Sequence, residues 1–322
     1  MVVDEPRPPR AGVDYPGTWQ AFEAWFPDDG ACREYLARLR WPDGFICPGC
    51  GGGEAWLTGR GLWMCRSCGR QTSVTAGTIF HRSRYPLRVW FAAMWFVCSQ
   101  KNGVSAMGLQ RVLGFGSYET AWAWLHKLRR AMVRPDRELL GGEGVAVEID
   151  QTFLGGQRSP RSGPRYANKA EVVIAVERVH PKGLGRIRLA RIDTGDRKAE
   201  LLEFIRHNIA HGTILYTDGE ASYTAAAKTL RLDHEPINMS KAPDAAHVHL
   251  PAVHRVASLL KRWIAGTLQD RVSDQHLAYY LDEFTFRFNR RTSRSRGLLW
   301  YRLVQQALDT DPHPLATLQH KM

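Results

Sequence analysis

The sequence predicts a mixed α/β fold, with a small metal-stapled module and a helical segment placed ahead of a sheet-and-helix domain. Three observations predict it. Two C-x-x-C pairs stand close together, C-P-G-C at Cys47 and Cys50 and C-R-S-C at Cys65 and Cys68. Helical periodicity dominates from residue 85. From residue 144, three strand patterns are followed by a helix, a strand and further helices. The boundaries read as 16–84 for a helix plus the metal module, 85–138 for the helical domain and 144–310 for the α/β domain. At 322 residues the chain has room for two or three domains, each with its own core.

Composition narrows the partners. Charged residues at 24% and hydrophobic ones at 44% are ordinary for a soluble globular protein. A net charge of +12 and a pI near 9.7 are not ordinary, and favour a polyanion. Nucleic acid is the commoner such partner and acidic lipid the weaker option. No apolar run reaches membrane-spanning length, and the start, M-V-V-D-E-P-R-P-P-R, lacks the apolar core of a signal peptide. The protein therefore reads as intracellular, with no membrane partner, and its six cysteines as metal ligands or free thiols rather than disulfides.

Residues 1–15 are rich in proline and charge and read as mobile. Trp19, Phe22, Trp25 and Phe26 lead into a short amphipathic helix carrying Tyr35, Leu36, Leu39 and Trp41 at helical spacing; Cys32 on it reads as a core residue. Fourteen residues separate the two cysteine pairs. Two such knuckles make a tetrahedral four-thiolate site that suits one Zn²⁺, with Gly51 and Gly69 allowing the turn beneath the metal and Trp56, Leu57, Trp63 and Met64 forming a hairpin between. A closed site of this kind has no open position, so the zinc is structural. Arg60, Arg66, Arg70, His81, Arg82 and Arg84 flank it, as phosphate contacts would.

From Pro86, L-R-V-W-F-A-A-M-W-F-V-C-S-Q is apolar nearly all round and reads as a buried helix, with Cys98 in its core. A second helix follows, capped by Ser105, then a G-F-G-S turn and a third helix. In the third, Trp122, Leu125 and Leu128 face inward and Lys127, Arg129 and Arg130 outward. The three helices read equally as a helix-turn-helix unit or as a plain helical linker domain.

The strands of the last domain are V-A-V-E-I-D-Q-T-F-L, E-V-V-I-A-V-E-R, R-I-R-L-A-R-I-D and, after a helix from Lys198 to Asn208, T-I-L-Y-T. Helices are expected over 221–230, 253–265 and 273–289, with a loop holding three histidines before the second. This element order is that of a ribonuclease H-like fold. In it the first and fourth strands are neighbours, so Asp150 and Asp218 meet. Two close carboxylates repel unless a cation lies between them, and Mg²⁺ or Mn²⁺ suits such an oxygen-rich setting. Two such ions serve phosphodiester chemistry, one at the attacking and one at the leaving oxygen. Alone, Asp150 reads as well as a solvated strand residue or an ion-pair member. A third ligand should come from a later helix. His254 and Lys261, seven positions apart in H-R-V-A-S-L-L-K-R-W, share a face there, the imidazole toward the ions and the ammonium along a bound strand. Rivals for the third place are Glu220, two residues from Asp218; Asp244, in a loop; and Glu283, beside Asp282 on the last helix. His247 and His249 are further candidates for a metal.

The blocks V-E-I-D-Q-T-F-L-G-G, Y-T-D-G, H-R-V-A-S-L-L-K-R-W and Y-L-D-E-F-T-F-R-F-N-R-R, in this order behind the cysteine pairs, resemble the zinc-ribbon, ISXO-like insertion-sequence transposases of the DDE superfamily. The resemblance spans almost the whole chain. It implies Asp150, Asp218 and His254 as ligands of two catalytic Mg²⁺ or Mn²⁺ ions and Lys261 as the strand contact, with His254 where the wider superfamily has Glu. It also implies a DNA transposase that binds the terminal inverted repeats of its element, cuts there and transfers the 3′-OH to target DNA. Such a protein is a homo-oligomer, cytoplasmic and nucleoid-associated in a bacterium or archaeon. The basic loop at Arg158, Arg161, Arg165 and Lys169 and the tail R-F-N-R-R-T-S-R-S-R are expected phosphate contacts. The competing functions are a DNA-binding regulator with an inactive domain and a hydrolase of RNA–DNA hybrids.

Overall fold

The computed structural model describes residues 7–134, 137–155, 169–179, 183–192, 195–237, 246–268, 272, 274–314 and 318. The chain opens with α1 (Trp19–Trp25) and α2 (Asp29–Arg40), whose caps Thr18 and Asp28 accept from Ala21 N and Ala31 N. Residues 7–15, expected to be mobile, are pinned: Arg7 pairs with Asp14 at 2.9 Å, and the Tyr35 hydroxyl donates to Asp14 O at 2.8 Å. The metal module is a three-stranded antiparallel sheet, β1 (Ala55–Leu57), β2 (Trp63–Cys65) and β3 (Gln71–Thr72); the third strand was not expected. Trp56 pairs with Met64 and Leu57 with Trp63.

The helices α3 (Leu87–Ser99), α4 (Ala106–Leu113) and α5 (Tyr118–Ala131) follow. Ser105 caps α4 by accepting from Gly108 N at 3.1 Å, and Gly114 ends it in the left-handed conformation at φ 67°. Trp90 of α3 stacks on Trp124 of α5 at 3.6 Å.

The second part of the chain carries β4 (Ala146–Leu154), β5 (Ala170–Val179), β6 (Gly183–Ile192), α6 (Arg197–Asn208), β7 (Ile214–Thr217), α7 (Ala221–Leu230), β8 (Asp233–Pro236), a short α8 (Ala246–His249), α9 (Pro251–Leu268) and α10 (Leu277–Phe288). The five strands lie in the order β6-β5-β4-β7-β8. The first three are antiparallel to their neighbours, and β4, β7 and β8 run parallel. The β7–α7–β8 step is the strand–helix–strand crossover that a parallel pair demands. Alternation along the strands splits the core. Val147, Ile149, Val173, Ala175 and Leu215 face α6 and α7, while Leu154, Val172, Ile174 and Val176 face α9 and α10. Three sequence expectations are corrected here. The stretch before α9 is not all loop, because β8, with His234, extends the sheet. Helix α9 starts at Pro251, so His254 lies a turn inside it. A 3-10 turn at Asp274–His276 replaces the start of the expected 273–289 helix.

The last helix, α11 (Arg296–Leu308), does not join the sheet domain that the 144–310 boundary implied. Contacts divide the chain into one unit of Met1–Arg134 with Thr292–Lys321 and another of Pro135–Arg291. The reason is Trp300, which is fully buried among Phe22, Phe26, Tyr35 and Phe91, with its indole N–H donating to Phe91 O at 3.0 Å. Helix α11 also packs on α5. Arg129, expected to face out, is buried. No helix among the described residues is long and apolar enough to cross a membrane.

Candidate active site

The four cysteines of the ribbon are gathered at one point. Among the described residues they are the one set of three or more possible ligands whose donor atoms all lie within 4.8 Å of one another. Sγ of Cys47 and Cys68 are 3.6 Å apart, as are those of Cys50 and Cys65. A tetrahedron with Zn–S bonds of about 2.3 Å has edges of about 3.8 Å, so the cluster fits Zn²⁺. Gly51 and Gly69 stand at φ 75° and 70°, where a side chain would be strained. Phe45 and Trp63 stack at 5.6 Å beside Trp41 to give the module its small core. The flanking Arg60, Arg66, Arg70, His81, Arg82 and Arg84 are all exposed.

The second site lies at the carboxyl end of β7, beside the middle of β4. Their parallel register pairs Glu148 with Tyr216, and Asp150 and Asp218 each lie two residues further on. Asp150 lies on the face of β4 under α9, and Asp218, just past the end of β7, is near enough for its charge to act on it. Asp150 Oδ1 accepts from Gln151 N at 2.7 Å, and Asp218 Oδ1 from Glu220 N at 3.0 Å. His254 Nε2 stands 3.7 Å from Asp150 Oδ2, with the imidazole 35% exposed and Asp150 only 16%. Burial pushes the Asp150 carboxyl up to about 6; the Gln151 amide opposes the rise, and the negative charges of Asp218 and Glu220 add to it. Gly219, at φ 78°, turns the chain between Asp218 and α7.

The rivals for the third position separate. Glu220 does act on Asp150, but both its oxygens are engaged, Oε1 by Ser222 Oγ and Oε2 by Arg197 Nη2, each at 3.0 Å. Glu283 is buried within α10. Asp244 lies outside the described residues, as do the side chain of His247 and the basic-loop residues Arg158, Arg161 and Arg165. Lys261, on the same helix as His254, is exposed, and partial desolvation and then Lys169 lower its pKa. In the tail, Arg291 is committed to the protein, donating to Phe288 O at 2.9 Å and Gly185 O at 3.2 Å.

Sequence reasoning missed the groups that hold these side chains. Arg197 Nη2 donates to Gln151 Oε1 at 2.9 Å and pairs with Glu171 at 3.0 Å as well as with Glu220, which fixes a positive charge beside the acids. The buried Tyr223 hydroxyl is pushed well up by burial and then by Asp150, Asp218 and Glu220. Glu148 is fully buried and accepts from Ala252 N and Val253 N of α9. Its one sequence signal is that it shares the strand face of Asp150.

Two family models match the chain: an ISXO2-like transposase domain over residues 139–289 and a transposase zinc-ribbon domain over residues 27–71. The chain belongs to the ISXO2-like, zinc-ribbon transposases. It is also 24% identical to the "uncharacterized protein in transposable element ISH50" of Halobacterium salinarum, over 81% of this chain and 93% of that protein. Among solved structures, a chain of the simian T-cell lymphotropic virus intasome in complex with PP2A regulatory subunit B56 gamma aligns at 14% identity and a TM-score of 0.28. That alignment covers 56% of this chain and 64% of the other, less than two thirds of its length. The transposase models thus cover both the ribbon with its four-cysteine cluster and the sheet unit with the Asp150 corner.

Proposed function

We propose that this transposase cuts DNA at the ends of its insertion sequence and joins the freed 3′-OH to target DNA, with Asp150, Asp218 and His254 holding the catalytic cations. The observation that carries the reading is the convergence of Asp150 and His254 at 3.7 Å, from elements far apart in sequence, with the charge of Asp218 acting on Asp150. Two ligands on one ion with bonds of about 2.1 Å stand between about 3 and 4.2 Å apart, so the imidazole and the carboxylate fit a shared cation. Divalent ions bound there supply activation of the attacking oxygen and stabilisation of the leaving one. The chain's own groups do the rest. Asp150 and Asp218 concentrate negative charge, Arg197 limits it and holds Glu220 aside, and Lys261 offers its ammonium to the strand backbone. Strand order β6-β5-β4-β7-β8, three antiparallel strands followed by two parallel ones, supports a ribonuclease H-like assignment. The exposed arginines of the ribbon and the α4–turn–α5 unit are the surfaces we assign to end recognition, and assembly as a homo-oligomer on DNA follows the same reading.

Asp150→Ala tests it on DNA carrying the ends of the encoding element. Cleavage and strand transfer should fall by more than the roughly hundred-fold that loss of an outer-shell partner costs, with end binding unchanged. Mn²⁺ should support the wild type at least as well as Mg²⁺, because one ligand is nitrogen. A variant that keeps its activity makes the protein a regulator with an inactive domain. Cleavage of RNA–DNA hybrids in preference to element ends makes it a hydrolase of another kind.

A further inference from the structure

Glu148 and Asp150 share one face of β4, yet they have different fates. Glu148 has no exposed side-chain surface, a costly place for a carboxylate unless every neighbour answers it. Its Oε2 accepts from Ala252 N at 2.8 Å and Val253 N at 2.9 Å. Its Oε1 stands 3.2 Å from Arg178 Nε, an ion pair rather than an aligned hydrogen bond. The two amides belong to the first turn of α9, where N–H groups lack partners within the helix and the helix dipole favours negative charge. Pro251, ahead of them, has no N–H to satisfy and sets the backbone for a helix start. The next residue after the clamped pair is His254, whose ring reaches Asp150. Strand and helix are therefore joined twice in parallel, by Glu148 to residues 252–253 and by Asp150 to His254.

We propose that Glu148 is the positioning residue of this site: it fixes the first turn of α9 on β4 and so sets the imidazole of His254 beside Asp150. The inference rests on the reading that Asp150 and His254 share a cation. Glu148 is not itself a ligand, since Oε2 takes two amides and Oε1 faces a guanidinium. Nor does the helix depend on it to stay on the sheet. Val253, Val256, Leu260 and Ile264 hold α9 there through the apolar core it shares with Val172, Ile174 and Val176. What Glu148 controls is the placement of the first turn. Gln cannot replace it, because all three neighbours are donors and an amide offers them one acceptor and one further donor.

The test uses full-length, zinc-loaded protein and reads Mn²⁺ affinity by electron paramagnetic resonance, thermal unfolding and element-end binding, alongside cleavage. Glu148→Gln should weaken Mn²⁺ about ten-fold and lower cleavage with it, while end binding holds. His254→Ala should weaken Mn²⁺ comparably. The double variant should be no weaker than His254→Ala alone, because Glu148 acts through that ring. Losses that add in the double variant, or an Mn²⁺ affinity that does not move while the melting point falls, overturn the positioning role. Should Glu148→Gln fail to fold, Glu148→Asp keeps the buried charge but withdraws it by one methylene from the α9 amides. The same Mn²⁺ weakening is expected there, and an unchanged affinity overturns the proposal. Asp150→Ala separates the two levels. If it leaves Mn²⁺ binding and cleavage intact, the active-site reading is what fails. If it abolishes both while Glu148→Gln changes neither, only the positioning role falls.

Discussion

The thiolate corner of the ribbon and the acid corner of the sheet are built on opposite plans. The ribbon draws its four donors from one short hairpin, each pair held by its own C-x-x-C turn, and the sulfurs close to 3.6 Å. The acid corner takes Asp150 from β4, Asp218 from beyond β7 and His254 from α9, with Asp150 and a partly exposed imidazole 3.7 Å apart. A local, closed cluster suits a metal that holds structure. A dispersed corner, tensioned by like charge and open on one side, suits a metal that must also meet a substrate. The difference is one of what positions the ligands: peptide turns in the first, tertiary packing in the second.

That contrast gives its largest expected effect at the ribbon. Structural zinc in comparable modules is worth on the order of 10 kcal/mol of folding free energy. Chelation, or Cys65→Ser, should unfold the ribbon and abolish end-specific binding while the thermal transition of the sheet unit persists. Zinc release measured against protein should give one ion per chain. A chelated protein that still selects its element ends would show that the thiolate corner is not what holds that surface.

The same contrast explains what could be read from sequence. The cysteine pairs, the turn glycines and the strand pattern around Asp150 are local signals, and all of them are found as expected. So is the Ser105 cap, since capping is decided within one turn. The four predicted strands exist, but β8 went unseen because its polar D-H-E-P sequence carries no alternation and is held by pairing to β7. The place of α11 was unreadable for a related reason: Trp300 could bury itself against any aromatic cluster, and its partners all lie more than two hundred residues upstream. At the acid corner, candidate residues could be named from the sequence, but the groups that support them could not. Glu148 looks in the sequence like any polar residue of an alternating strand. Only α9, folded onto that face, turns it into a clamp.

A mid-sized effect lies in the charge stored at the acid corner. The carboxyl of Asp150, at 3.8 when unperturbed, stands near 6 in the fold, chiefly through burial and further through Asp218 and Glu220. A carboxyl raised on folding binds its proton more tightly in the native state, so its effect on stability becomes more favourable as pH falls from 7 through 6 and levels off below about 4. The shift corresponds to about 2–3 kcal/mol. Burial raises Glu148 and Glu171 in the same direction, so the contribution of Asp150 must be isolated by difference. In zinc-loaded protein with no other divalent ion, wild type should gain on Asp150→Asn by that amount between pH 7 and pH 4.5 in urea unfolding. Parallel curves would mean that the corner is better solvated than its geometry implies. The thiolates titrate identically in both proteins and cancel.

The smallest effect distinguishes the two corners by how each meets phosphate. Around the ribbon the exposed cations are mostly arginines, which stay charged at any working pH. At the acid corner the assigned strand contact is Lys261, whose pKa is lowered first by partial desolvation and then by Lys169. A lysine lowered in this way gives up its proton, and with it a phosphate contact, earlier on the alkaline side than an ordinary one. Lys261→Ala should therefore weaken DNA binding a few-fold, uniformly across sequences, and reduce the slope of log affinity against log salt by about 1. Lys261→Arg should keep the neutral-pH affinity and remove the early alkaline loss, since a guanidinium holds its charge there. If the alanine variant leaves the salt slope untouched, Lys261 makes no phosphate contact, and the shared face with His254 is only a consequence of helical spacing. If the slope falls but the arginine variant declines at alkaline pH as the wild type does, the alkaline loss belongs to another group, and the ribbon and the sheet meet phosphate in the same way.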